Sequence, residues 1–265
     1  MRRILFLFSR SFSYFCVMKR LFFAVVAVIS AALGLRAENV YYNVGPFCRL
    51  SVRGDVDVVY RCNPDSTGMA RYDDAAFPEE PFELSIKKGK LDVRRPADAT
   101  GGRPVLFVWS DFLMEATNEG LGEMTLSLGA SVPEFSATLI GNGKIVVDNI
   151  RATEVSGTVN TGNGTVVMSG ECKEASFSMV GAGLIQADHL DAEKVSCRAL
   201  GTGTIGCWPS ETLSVQGIGT AKIYYKGEPQ IKKTGAARLF PMMEEDADQA
   251  AAVEEEPLDG EDDDE

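Results

Sequence analysis

Between residues 135 and 229 apolar and polar positions alternate in short runs, and each run is broken at a pair of glycines. The segments FSATLIGNGKIVVDNIRATE, VSGTVNTGNGTVVMSGECKEA, SFSMVGAGLIQADHLDAEK, VSCRALGTGTIGCWPSET and LSVQGIGTAKIYYKGEP align as five copies. Their leading glycines, Gly141, Gly162, Gly181, Gly201 and Gly219, are spaced by 21, 19, 20 and 18 residues. Gly143, Gly164, Gly183 and Gly203 follow two positions later, with Ala221 in the fifth copy. Phe135, Ala137 and Leu139 precede the first pair, as Val195, Cys197 and Ala199 precede the fourth. Ile145 and Val147, Val166 and Met168, Ile185 and Ala187, Ile205 and Cys207, and Ile223 and Tyr225 follow the successive pairs. Period-two alternation predicts strands with one buried face. Glycine at the break permits positive φ or close backbone approach, which predicts a corner. The second copy has one extra residue before Gly162, which predicts a bulge.

One such copy cannot bury a core alone, so the copies are expected to stack. The choice lies between a β-helix of parallel strands and an antiparallel meander or sandwich. About twenty residues with two or three short strands is the size of a β-helical coil, whereas a propeller blade needs about twice that. Parallel stacking at about 4.8 Å per coil predicts one interior column, Ile145/Val166/Ile185/Ile205/Ile223.

Upstream, CRLSVRGDVDVVYRC alternates around Gly54-Asp55. Folded as a hairpin centred on Asp55, it would oppose Cys48 to Cys62, Leu50 to Tyr60 and Val52 to Val58, allowing either a Cys48–Cys62 disulfide or two buried thiols. PFELSIKKGKLDVRR predicts a second hairpin, with Leu84 and Ile86 against Leu91 and Val93. Val105 to Trp109 and Met124 to Leu128 read as strands, and Asp65 to Pro81, rich in Gly, Pro and charge, as loop. These are expected to form irregular opening hairpin coils of the same domain.

The glycine-pair copies, the Leu190-x-Ala192 step and the closing Ile223-Tyr-Tyr-Lys-Gly-Glu-Pro229 resemble the head GIN domain family of auto-transporter adhesins, found largely in exported Bacteroidetes proteins. The resemblance spans roughly residues 43 to 230. It implies a right-handed, mostly parallel β-helix-like domain in the cell envelope or outside the cell, with no established enzymatic activity. The chain lacks the translocator barrel of a full auto-transporter, and the family supplies no binding residues to carry over.

Charge sharpens the domain limits. Of 26 Lys and Arg against 38 Asp and Glu (net −12), 13 acids and no base lie from Glu244 onward, and six bases and no acid lie in residues 1–37. Residues 38–243 therefore hold 20 bases and 25 acids, which argues against a nucleic-acid surface. Lys19-Arg20, the apolar run Leu21 to Leu35 and Ala37 read as a secretory signal peptide over 1–37, with Met18 as an alternative start and an uncleaved anchor as the alternative fate. The expected domains are this leader, a single β-helix-like domain over 38–233, and a disordered acidic tail over 234–265. No transmembrane segment is expected after cleavage.

Candidate chemistry is sparse. His189 is the single histidine, so a Ser/His/Asp or Cys/His nucleophilic site is hard to build unless His189 itself serves, and it is expected instead as a surface residue. Asp148 and Asp188 occupy equivalent positions two coils apart, about 10 Å by strand spacing, beyond the usual inverting pair. Cys172, Cys197 and Cys207 lack zinc-ligand spacing, and the glycine pairs open no helix, so no metal or cofactor is expected. Arg53-Gly54-Asp55 at the expected hairpin tip matches an integrin-type tripeptide, and Trp208 and Tyr224 could be sugar platforms or packing residues. The leading reading is a non-catalytic exported binding or adhesion module contacting a glycan or envelope protein, in the periplasm, on the outer surface or outside the cell. A structural or self-assembling envelope protein is the alternative, and a polysaccharide-active β-helix enzyme ranks third.

Overall fold

The computed structural model describes residues 39–73, 81–99 and 101–242. The expected leader and most of the expected acidic tail lie outside the described residues. The strands are β1 (Asn39–Asn43), β2 (Arg49–Arg53), β3 (Asp57–Cys62), β4 (Met69–Asp73), β5 (Glu83–Lys87), β6 (Lys90–Arg94), β7 (Val105–Ser110), β8 (Glu115–Glu119), β9 (Glu123–Ser127) and β10 (Val132–Ile140). Four long strands follow, β11 (Lys144–Asn160), β12 (Thr165–Gly181), β13 (Leu184–Gly201) and β14 (Thr204–Gly219). The series ends with β15 (Lys222–Tyr225), β16 (Gln230–Gly235) and β17 (Arg238–Pro241), so strands run past residue 233.

The architecture is an all-β solenoid of about six turns with coils of about 20 residues. Alternation along β11 breaks into two adjacent exposed residues at Asp148-Asn149 and again at Thr153-Glu154, and the second break recurs at Lys173-Glu174, Glu193-Lys194 and Ser210-Glu211, where each long strand bends. These bends divide a coil into face 1 after the glycine pair, a short face 2, and face 3 leading to the next pair. The predicted column forms on face 1: Ile145, Val166, Ile185, Ile205 and Ile223 are successive parallel partners, and all are fully buried. It extends through Met124, Val58 and Leu106 at one end and Leu239 at the other. Face 2 stacks Ile150, Gly170 and Leu190 beside Ala152, Cys172 and Ala192. The extra residue of the second copy is Thr161, which sits at φ 58° immediately before Gly162.

The two glycines of a pair are required for different reasons. The leading one adopts positive φ, from 97° at Gly162 to 134° at Gly201. At the second there is no room for a side chain: a Cβ on Gly164 would lie 2.5 Å from Leu139 Cδ2, and one on Gly183 would lie 2.7 Å from Val159 Cγ1. A Cβ on Gly203 would collide with Met179 Sδ and the Gly183 carbonyl. Leu139, Val159, Met179 and Ala199 form one inward column of face 3. Where it narrows to Ala199, the following pair carries Ala221 in place of its second glycine.

The opening coils depart from the expected hairpins. Only the second forms: β5 and β6 pair antiparallel, with Leu84 opposite Val93 and Ile86 opposite Leu91, across Lys88 (φ 52°) and Gly89 (φ 72°). The strands flanking Gly54-Asp55 do not pair with each other. Instead β2 lies parallel between β6 and β8, and β3 lies parallel between β7 and β9. Gly54-Asp55 is thus a coil corner from face 3 to face 1, and the β6–β7 coil, later in sequence, packs outside the β2–β3 coil. Cys48 and Cys62 are free; their thiols donate to the carbonyls of Gly89 (3.8 Å) and Asp111 (3.0 Å). The expected loop over 65–81 contains β4, which pairs antiparallel with β7 and β1. These antiparallel strands and β5 cover the edges of the first coil.

Candidate functional site

Face 3 places one residue of each coil outward at the position after the apolar opener Phe135, Val155, Ala175, Val195 or Leu213. Those residues are Ser136, Ser156, Ser176, Ser196 and Ser214, each the direct partner of the next. Beside them runs a second column, Glu134, Glu154, Glu174, Lys194 and Thr212. The two columns line an open groove of about 860 Å³, with Glu115 and Arg49 at its opening-coil end. Lys194 Nζ donates to Glu174 Oε1 at 3.1 Å, and this bond, with the carboxylate's charge, holds the ammonium pKa above its ordinary value. The groove therefore offers hydroxyls at a repeat of about 4.8 Å along one wall and carboxylates and an ammonium along the other. Sequence reasoning did not single out the serines, although their spacings of 20, 20, 20 and 18 carry the same period as the glycines.

A second cluster forms at the far edge of face 1. The β13–β14 register jumps from Ala187/Cys207 to Asp191/Trp208, leaving Asp188, His189 and Leu190 without partners on β14. In this bulge Leu190 fills the interior and Asp188 is buried against Gly206. Its Oδ2 lies 3.4 Å from His189 Nδ1 and 3.9 Å from Lys226 Nζ, while Oδ1 is buried without a hydrogen-bond partner. Lys226 Nζ also stands 5.7 Å from the Trp208 ring centroid. The His189 ring is exposed as expected, but it is paired with Asp188 rather than isolated. Among the described hydrogen bonds none brings a hydroxyl or thiol to it. Asp148, the equivalent carboxylate, accepts from Ser169 Oγ at 3.0 Å.

The other singled-out residues serve packing and corner geometry. Arg53 pairs with Glu119 at 3.2 Å and Asp55 with Arg103, so the charged side chains of the tripeptide are engaged within the fold. Tyr224 stacks on Phe240 with centroids 5.1 Å apart. Cys197 and Cys207 are buried free thiols; a hydrogen bond between them and burial push the Cys197 pKa upward. Burial, with Asp191 and Glu193 adding negative charge, pushes the Cys172 thiol up to about 12. Among the described residues no group of three or more His, Cys, Asp or Glu side chains could hold a metal ion. No helix among them is long and apolar enough to cross a membrane.

Stacked glycine-cornered coils, an open polar groove and a carboxylate–imidazole pair that meets no hydroxyl or thiol among the described hydrogen bonds define a parallel β-solenoid with a lateral polar groove. A family model described as "Putative auto-transporter adhesin, head GIN domain" matches residues 76–229, and the chain belongs to that family. Solved structures of similar fold include a "putative adhesin" from Bacteroides fragilis, with TM-score 0.69 and 18% identity, covering 77% of this chain and 96% of that one. A "putative adhesin" from Parabacteroides distasonis matches with TM-score 0.61 and 18% identity, covering 77% and 96%. A "putative lipid binding protein" from the same organism matches with TM-score 0.60 and 19% identity, covering 78% and 96%. The family and these neighbours bear adhesin or binding-protein descriptions rather than enzyme descriptions. None of the curated proteins matches the chain.

Proposed function

We propose that this chain is an exported, non-catalytic binding module of the bacterial cell envelope, and that the face 3 groove is its contact surface for an extended polar ligand such as a glycan chain. The observation that carries this is the in-register serine column, five rungs long and walled by Glu134, Glu154, Glu174 and Lys194. A regular row of hydroxyls and carboxylates on rigid strands suits a ligand that itself repeats hydrogen-bonding groups along a line. Cleavage after Ala37 would release a domain containing every described strand, with the acidic segment from Glu244 as an appendage.

The self-assembling alternative requires open, pairable ends. At one end β5, β4 and β1 lie antiparallel over the first coil. At the other, Lys233 follows Val215 in an inward column and is exposed, so a charge stands where a docking coil would bury its core. Both features favour a monomeric binder. The test is a glycan-array screen of the chain from Glu38 onward together with its sedimentation velocity. Glycan binding by a monomer supports the reading; a blank array with filament formation overturns it in favour of assembly.

A further inference from the structure

The carboxylates of the repeat coils are confined to one side of the solenoid. From residue 135 to 242 the acids are Asp148, Glu154, Glu171, Glu174, Asp188, Asp191, Glu193, Glu211 and Glu228. All fall between the end of face 1 and the start of face 3. The opposite edge, formed by the glycine-pair turns and the strand ends flanking them, contains no acid in any of these coils.

That acid-free edge carries an aliphatic row. Ile140, Asn160, Val180, Leu200 and Ile218 are successive partners pointing outward at the end of face 3. The four aliphatics in this row are 38%, 37%, 39% and 71% exposed. Five rungs at about 4.8 Å span roughly 19 Å. Beneath the row, Leu200 and Ile218 border a shallow pocket of about 400 Å³ with Arg198 and Gly235. Cations flank the row on both sides. Arg198 lies on the face 3 side, hydrogen-bonded to Gln216 at 3.4 Å, and Lys144, Lys222 and Arg238 lie on the face 1 side. Lys144 is paired with Glu123 at 3.0 Å, whereas Lys222 and Arg238 are exposed and form no ion pair among the described residues.

We propose that this turn edge is a membrane-contact surface: the aliphatic row rests at the headgroup boundary of a bilayer containing anionic phospholipid, with Arg198, Lys222 and Arg238 at headgroup level. Aliphatic residues rimmed by cations, with the carboxylates of the repeat coils on the far side and the opening-coil acids Glu119 and Glu123 paired with Arg53 and Lys144, are the composition of an interfacial membrane contact. The surface is separate from the serine groove, so the proposal stands or falls independently of the ligand assigned there.

The test is co-sedimentation of the chain from Glu38 onward, which contains every described strand, with phosphatidylcholine vesicles with and without phosphatidylglycerol. Binding to the anionic vesicles that weakens with added salt is expected. Leu200→Ser with Ile218→Ser should lower partitioning at least about tenfold, from the lost aliphatic contact. Lys222→Glu with Arg238→Glu should lower it at least about twentyfold, at roughly fivefold per cation. These side chains are exposed, so unchanged melting temperatures serve as the folding control, and Ser176→Arg in the groove should leave partitioning unchanged. No binding to either vesicle, equal binding by the serine variants, or loss of binding only in Ser176→Arg would each overturn the proposal. Retained capture of a protein partner by a chain that ignores vesicles would assign the edge to a protein instead.

Discussion

Replacing Gly203 with alanine adds one methyl at a position where the structure leaves none free. Its φ is not in the left-handed region, so the cost is steric rather than conformational. The new Cβ would overlap Met179 Sδ and the Gly183 carbonyl oxygen. Overpacking a core by one methylene or methyl costs about 1–3 kcal/mol, and a backbone neighbour that cannot rotate away places this site toward the upper end. The sulfur contact is removable: Met179→Ala alone should cost about 2–5 kcal/mol by leaving a cavity. The two changes together should then cost less than their sum by about 1 kcal/mol or more, within the range of coupled neighbours. Urea unfolding of the four proteins reads this directly, from midpoints at constant m-value. The natural pair Ala199 and Ala221 is the same solution one coil later. If Gly203→Ala falls within 0.5 kcal/mol of the parent, a surface-like value, or if the two changes add, the stacking geometry assigned to the second glycine is wrong.

Ile185→Ala, in the middle of the face 1 column, should cost about 2–5 kcal/mol, while Val167→Ala on the outer side of the adjacent strand should cost under about 1 kcal/mol; chemical denaturation distinguishes them. In denaturant the chain from Glu38 onward should titrate five thiols with a disulfide-exchange reagent, Cys48 and Cys62 included, and three would mean they are bonded. Without denaturant at pH 8, Cys172 should react far more slowly than an ordinary thiol, because so little of it is thiolate. Stability should also fall with rising pH above about 8.5, the ordinary thiol value. Cys172 keeps its proton in the folded chain up to about 12 but loses it earlier once unfolded. Tyr60, whose pKa burial also raises, extends the decline. The slope per group is at most about 1.4 kcal/mol per pH unit, and a flat profile from pH 8 to 11 would contradict the burial of both.

The repeat coils were legible because parallel stacking sets each residue on its counterpart one coil away, so glycine corners and apolar openers recur at the coil period. The β5–β6 hairpin was legible for a local reason, since Lys88-Gly89 both take the positive φ that a two-residue hairpin turn demands. The segment around Gly54-Asp55 was not. Two alternating strands about a glycine look the same whether the chain folds back on itself or turns a corner to the next face. Only partners 41 to 66 residues away distinguish the two, as Val52 with Val93 and Val58 with Met124 do. The Asp188 bulge was hidden for a related reason. It arises because β14 is shorter than β13 between faces 1 and 3, a mismatch between neighbours rather than a property of either copy. The serine column carried its own period, but a small polar residue on a solvated face is unremarkable until the coils bring five of them into line.

The central claim is that the groove over Ser136, Ser156, Ser176, Ser196 and Ser214 is where this chain holds its ligand. The most direct measurement is parallel glycan-array profiling of the unmodified chain and of Ser176→Arg, which fills the middle rung with a long side chain and leaves the interior of the coil untouched. The account predicts defined glycan hits for the first, lost in the second with its melting temperature unchanged. A blank array for the unmodified chain, or hits that survive Ser176→Arg, would contradict it.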